Sequence, residues 1–233
     1  MKDVFGKVLL GYWEGDHKTP HFIRRDDGFW DETPTNHYFK TALSPSERLI
    51  LKYAHGKILD VGCGAGRALL YFQKKNLEVY GIDSSPLAVQ VCKERGLRAE
   101  VKDVFTMKRP NTFDTVVLFG NNIGIGGDLR GVQKLLKKLY SLSKKGGHLL
   151  LTSIDVSKTK NPGHLAYHRL NLKKKKYVGE VKIRVEYKNQ LSPYFKWIHL
   201  NPDTLQALAE KAKWKVVYLK TSKDGQYSAV LEK

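Results

Sequence analysis

Between Lys57 and Arg67 the chain passes from a run of strand character, Lys57-Ile58-Leu59-Asp60-Val61, straight into Gly62-Cys63-Gly64-Ala65-Gly66. An apolar run of that length fits a buried strand, and the glycines after it permit a sharp turn and close approach of a ligand to the backbone. Residues 67–75, RALLYFQKK, then have helical character. Strand, glycine loop and helix in that order put the loop at the carboxyl edge of a sheet, where open α/β sheets bind ligands. A dinucleotide fingerprint counted from Gly62 requires a further glycine where Arg67 stands. The Gly-Lys-Ser/Thr ending of a phosphate-gripping loop is also missing.

The surrounding sequence repeats the same alternation. Ser44, with Pro45 in the first turn and Glu47 three residues on, forms a capping box that opens a helix expected to end near Gly56. Residues 77–83 read as a second strand, followed by a helix capped by Ser84 or Ser85 and stopped at Gly96. Residues 97–101 and 113–119 supply two more strands, 128–143 a helix closed by Gly146 and Gly147, and 148–153 a fifth strand. The helix expected from Asn201-Pro202 to about Lys213 is followed by strands at 215–220 and 227–232. Such alternation implies an α/β fold, doubly wound, with a mostly parallel seven-stranded sheet.

Two regions depart from it. Residues 1–42 have no sustained period and read as irregular. Residues 154–176 read as a polar loop with one helical turn around His164–Asn171, and residues 177–188 alternate as a half-exposed antiparallel strand. The expected organisation is an aromatic and basic extension at 1–43 and one α/β domain at 44–233, with a small antiparallel and loop elaboration at about 154–200.

A second landmark matches the glycine loop: Asp83 ends the next strand, 23 residues beyond Asp60, close to the spacing of a carboxylate that holds ribose hydroxyls. Here the sequence resembles the class I S-adenosylmethionine-dependent methyltransferases, over about residues 45–153. ILDVGCGAGRA is similar to their first motif, VYGIDSSPLAV to the acidic second, and KDVF with FDTVVLFGNN to the later ones. The resemblance implies a Rossmann-like fold and S-adenosylmethionine as cofactor. It implies that Gly62, Gly64 and Gly66 shape the pocket for its methionine part, with Asp60 orienting the ammonium. Asp83, with Ser84 beside it, would accept the ribose hydroxyls. Asp103 and the Val104 backbone would hold the adenine, and Gly120 would line the pocket near the sulfonium.

Catalytic candidates lie in the less regular segments. Amino-methyltransferases often carry Asp/Asn-Pro-Pro-Tyr after the fourth strand; Phe119-Gly120-Asn121-Asn122 stands there without the prolines. Asn121 or Asn122 could meet an amine through an amide oxygen. His164, Tyr167 and His168 share one face if their segment is helical, and histidine and tyrosine can accept or shuttle protons. No metal is expected, since those histidines lack a third ligand and a His-Glu-x-x-His pattern. Cys63 and Cys92 are too few for a disulfide framework.

The chain carries 41 Lys and Arg against 23 Asp and Glu, a formal net charge of +18. Such a field favours polyanions. Basic and aromatic residues interleave among Tyr12, Trp13, His17, Phe22, Arg24, Arg25, Phe29 and Trp30, and again among Arg169, Lys173–Lys176, Arg184, Tyr194, Phe195, Lys196 and Trp197. Cations for phosphates and rings for stacking are the components of an RNA surface. The leading expectation is therefore methylation of a base nitrogen, such as the exocyclic amine of cytidine N4, in ribosomal or transfer RNA. A small-molecule acceptor under a lid made of residues 1–42 and 154–200 is the alternative, and a cofactor-binding protein without turnover the third reading. With no signal peptide or apolar span in the sequence, a cytoplasmic protein without a membrane partner is expected.

Overall fold

The computed structural model describes residues 3–233. Contrary to expectation, the N-terminal segment has regular structure. Helix α1 (Val4–Trp13) is capped by Asp3, whose carboxylate accepts from the Gly6 N–H at 2.8 Å, and it buries Val4, Val8 and Leu9. Gly6 and Gly11 lower its helical propensity, which is why the sequence reads as irregular. Both glycines answer to close packing. A Cβ on Gly6 would lie 2.4 Å from Ser85 Oγ, and one on Gly11 2.5 Å from the Tyr187 hydroxyl oxygen. An antiparallel hairpin of β1 (His21–Arg25) and β2 (Trp30–Thr33) follows, then a helical turn at Thr35–Tyr38.

From Ser44 onward the expected elements are present, though the first helix stops at Ile50, short of Gly56, and passes into a helical turn at Leu51–Tyr53: α2 (Pro45–Ile50), β3 (Ile58–Val61), α3 (Arg67–Lys74), β4 (Val79–Asp83), α4 (Pro86–Glu94), β5 (Ala99–Val101), β6 (Phe113–Leu118), α5 (Leu129–Leu142) and β7 (Ser143–Ile154). The capping box closes at both ends, Glu47 N–H to Ser44 Oγ at 3.2 Å and Ser44 N–H to Glu47 Oε2 at 2.7 Å. Strand β7 does not wait for His148. The Gly146 N–H donates to Lys233 O at 2.9 Å and the Lys233 N–H to Gly147 O at 3.0 Å, so the glycine pair is held in the ladder.

The segment after Ile154 holds a three-turn helix, α6 (Pro162–Lys173), where one turn is expected. Its inward face is polar, which leaves no apolar period to read. Asn171 is buried and donates through Nδ2 to the carbonyls of Val178 and Glu180 at 3.1 and 2.6 Å. Then come β8 (Glu180–Tyr187), β9 (Gln190–Leu191), β10 (Phe195–Ile198), α7 (Pro202–Lys211), β11 (Lys215–Thr221) and β12 (Gln226–Glu232).

Seven strands form a mostly parallel sheet in the order β11-β12-β7-β6-β3-β4-β5, and the other five form an antiparallel sheet, β10-β8-β1-β2 with β9 on β8. The chain divides into two compact units: Met1–Leu43, Leu59–Met107 and Lys182–Phe195 in the first, Ser44–Ile58, Lys108–Val181 and Lys196–Lys233 in the second. In the first, β4 and β5 pair in parallel, and α1 packs on α4. In the second, β6 and β7 pair in parallel while β12 runs antiparallel to β7. Helix α5 covers that part of the sheet with Val132, Leu135, Leu136, Leu139 and Leu142, all buried. Each such side chain contributes roughly 1.5–3 kcal/mol by leaving water. Among the described residues no helix is long and apolar enough to cross a membrane.

His21, fully buried on β1, bonds through Nδ1 with Thr35 Oγ1 at 2.9 Å, while its Nε2 is buried without a partner among the described residues. Burial holds its imidazole down to about 4 from an ordinary 6.5. The folded state therefore prefers the neutral ring, and the unfolded state takes up the proton first. Stability is complete above pH 6.5 and falls as pH drops toward about 4, by on the order of 2–3 kcal/mol for this residue. Urea titrations of wild type and His21→Gln across pH 4–7 should show a shallower acid decline in the variant; parallel curves would refute the assignment.

Candidate active site

The glycine loop belongs to the first unit. Strand β3 is buried throughout and ends in Asp60-Val61, after which Gly62, Gly64 and Gly66 all take positive φ, between 52° and 82°. The N–H groups of Gly62 and Cys63 both donate to Ile82 O, at 2.8 and 3.1 Å, which ties the turn to β4. The glycines then part in function. A Cβ on Gly66 would meet Leu97 Cδ1 at 2.4 Å, so Gly66 serves packing of the fold. A Cβ on Gly64 would meet nothing within 4 Å, so that face of the loop is open.

Asp83, at the carboxyl end of β4, fixes the open face. Its Oδ2 accepts from the Gly64 N–H and its Oδ1 from the Ser85 N–H, both at 2.9 Å. Burial pushes the Asp83 carboxyl above its ordinary range, and the two N–H donors oppose the shift. A carboxylate has about four acceptor positions, so further donors can be accommodated there. Ser85 caps α4 by accepting from the Ala88 N–H at 3.0 Å, while Ser84 is exposed.

Asp3 is a contributor that the sequence reading missed. Its Oδ2 accepts from Ser85 Oγ at 2.7 Å and from the Leu87 N–H at 3.2 Å, joining α1 to the start of α4. The turn at Thr35–Tyr38 lies close by: Phe5, Tyr38 and Phe39 pack on Leu9, Ala65 and Ala88. Burial and the positive charges of Lys40 and Arg67 together lower the pKa of His37. Cations therefore gather where α3 leaves the glycine loop. Asp103 caps a short helical turn, Oδ1 accepting from the Phe105 N–H at 2.8 Å, and Val104 behind it is buried. Cys63 is buried with its Sγ 4.0 Å from that of Cys92. The neighbouring thiol and burial raise its pKa well above the ordinary value, so it is a poor nucleophile.

The remaining candidates lie in the second unit. After β6, Gly120 and Asn121 both adopt left-handed backbone, φ 63° and 67°. The Asn121 N–H donates to Thr152 O at 3.1 Å, but its side-chain Oδ1 is buried without a partner among the described residues. Asn122 is half-buried and starts the helical turn Asn122–Gly126. His164, Tyr167 and His168 share a face of α6 as expected; Tyr167 is buried and the two histidines half-buried, with His164 Nδ1 3.1 Å from Thr159 Oγ1. Four further residues were not anticipated. Ser153 Oγ, His199 Nδ1, Tyr227 Oη and both amide atoms of Gln133 on α5 are each buried without a hydrogen-bond partner among the described residues. Only fully satisfied polar groups are expected in a core, so each is a feature to explain. Their positions in sequence lie far apart, and no local pattern marks them. No group of three or more metal-ligating side chains that could hold an ion occurs among the described residues.

A doubly wound sheet whose order reverses at β3, with a glycine loop and a strand-end aspartate there, defines a nucleoside-cofactor enzyme of Rossmann-like type. A family model described as a methyltransferase domain matches residues 52–216, and the chain belongs to that family. It is a class I S-adenosylmethionine-dependent methyltransferase. A Bacteroides fragilis S-adenosylmethionine-dependent methyltransferase, crystallised with S-adenosyl-L-homocysteine, is 29% identical, with a TM-score of 0.85 over 99% of this chain and 94% of its own. Two others share the fold. A Methanosarcina mazei S-adenosylmethionine-dependent methyltransferase has 19% identity and a TM-score of 0.66, covering 82% of this chain and 98% of its own. A Thermotoga maritima enzyme described as a possible histamine N-methyltransferase has 18% identity and a TM-score of 0.55, covering 81% and 88%. Comparison with curated proteins gives no match.

The residues present fit the cofactor, since Gly64 leaves open space and Asp83 retains acceptor capacity beside it. Replacing Asp83 by Ala removes a charged acceptor whose hydrogen bonds are each worth roughly 1.5–3 kcal/mol. Calorimetric affinity for S-adenosylhomocysteine should drop at least about tenfold; an unchanged Kd would reject Asp83 as a cofactor ligand.

Proposed function

We propose that the chain methylates a small polar molecule at a nitrogen bearing an N–H. The observation that carries this reading is the Asn121 amide oxygen, buried and without a partner. A buried acceptor left unmade costs roughly 1–3 kcal/mol, which an incoming amine would recover. In the same reading Gly62 and Gly64 would give room for the methionine part of the cofactor, and Asp60 would orient its ammonium. Asp83 holds the ribose, while Asp103 and Val104 hold the adenine.

When bound, S-adenosylmethionine supplies a methyl group made electrophilic by the sulfonium. Transfer would form a C–N bond as the C–S bond breaks, and the acceptor nitrogen would then shed a proton. Asn121 accepts an N–H and so aims the lone pair; alignment of that kind supplies much of the rate in a direct displacement. His164 and His168 are candidates for taking the proton. The two free, buried thiols suit the reducing cytoplasm.

A second reading, transfer to a base nitrogen of structured RNA, is favoured by the net charge of +18 and by Lys173–Lys176. It is weakened by what the interleaved residues already do. Tyr12 stacks on Phe39 at 4.6 Å, Arg24 and Arg184 share Glu186, and Arg25 pairs with Asp27 and covers Phe29. Rings and cations engaged within the chain are less available to bases and phosphates.

Incubating the enzyme with labelled cofactor and either total RNA or a metabolite fraction decides between them. We expect label in metabolites, with kcat lowered about 10- to 100-fold in Asn121→Ala, the loss of one transition-state hydrogen bond. Label confined to RNA, with binding that weakens steeply as salt rises, would overturn the first reading in favour of the second.

A further inference from the structure

Three of the second unit's side chains with buried, unpartnered polar atoms among the described residues, Ser153, Tyr227 and His199, lie on β7, β12 and the segment after β10; Asn121 and Gln133 lie elsewhere in the unit. Ser153 and Tyr227 are register partners on β7 and β12, so their side chains share one face of the sheet. Both are at most 1% exposed, and the Ser153 hydroxyl tempers the burial-driven rise of the Tyr227 pKa, yet neither hydroxyl has a partner in full hydrogen-bond geometry among the described residues. Tyr177 lies within electrostatic reach of Tyr227, and its hydroxyl accepts from the Asn201 N–H at 2.8 Å, two residues beyond His199. His199 is anchored by its own N–H to Gly179 O at 2.9 Å, with Nδ1 buried and unpartnered. His164 and His168 of α6 stand close enough to act on its charge.

We propose that this cluster is an oxyanion subsite: His199, flanked by His164 and His168, binds a carboxylate or phosphate group of the acceptor molecule. The inference rests on the small-molecule reading and narrows its substrate class. Burial, with His164 and His168 close by, holds the His199 imidazole down to about 4, so a cation is disfavoured there. A neutral ring keeps an N–H to donate, and an anion can accept from it and from ring N–H groups of His164 and His168 beside it. The acidic groups of this region act on its tyrosines. Asp155 is turned onto Ser157, accepting from its N–H and its hydroxyl at 3.0 and 2.6 Å, and acts on Tyr177 and Tyr227, as Asp203 does on Tyr177. The anionic group therefore belongs at the histidine end.

Benzoate, phenyl phosphate and benzyl alcohol, titrated calorimetrically into the full chain with S-adenosylhomocysteine present, test the subsite. One or both anions should bind at least about tenfold more tightly than the neutral alcohol, and the better of them identifies carboxylate or phosphate. His199→Gln and the pair His164→Ala/His168→Ala should each weaken that binding at least about fivefold, with S-adenosylhomocysteine affinity serving as the check on folding. Equal binding of the alcohol, or anion binding unchanged in both folded variants, would overturn the proposal. Anion binding that depends on the histidines, alongside label found only in RNA, would reject the small-molecule reading while leaving the subsite standing. Turnover of a metabolite without such binding would do the reverse.

Discussion

The Asp83 carboxylate, buried and bridging two backbone N–H groups, sets the geometry of the first unit. One oxygen holds the Gly64 N–H in the loop after β3, and the other holds the Ser85 N–H at the start of α4. A carboxylate in this position pays a desolvation cost that only hydrogen bonds can offset. The loop and the helix start are thereby fixed to the end of one strand. Asp3 extends the arrangement by taking Ser85 Oγ, so that α1 is joined to the same helix start.

That linkage changes the meaning of the N-terminal residues. A stretch rich in Trp, Tyr, Phe and Arg resembles a nucleic-acid surface in composition. In the fold, Phe5 meets Tyr38 edge-on at 5.3 Å, Phe39 lies between Tyr12 and Arg95, and Trp13 donates to Glu94 at 2.7 Å. These rings build the packing around Ala65 of the glycine loop more than they offer faces for stacking. Charge remains abundant, but the paired arginines are worth little to a distant polyanion.

The second unit presents the opposite situation. Its apolar core is closed, with β6, β7, α5 and β12 contributing fully buried Val and Leu. Yet Asn121, Ser153, His199 and Tyr227 retain buried atoms without partners. Within a packed interior such atoms cost stability, and proteins commonly retain that cost where a ligand will bind.

The local sequence by itself determined the parallel α/β core and the cofactor loop. Capping box, glycine turn and strand-end aspartate are all written within a few residues of one another, and each is specified by backbone sterics or a short-range hydrogen bond. It did not reveal α1, because the glycines that lower its propensity are needed for contacts with Ser85 and Tyr187, which are distant in sequence. Nor did it reveal the full length of α6, whose inward face is polar. His199, Ser153 and Tyr227 were invisible for the same reason. Their significance is a missing partner in a buried place, and burial is decided only when the register of β7 against β12 and the packing near α6 bring distant segments together.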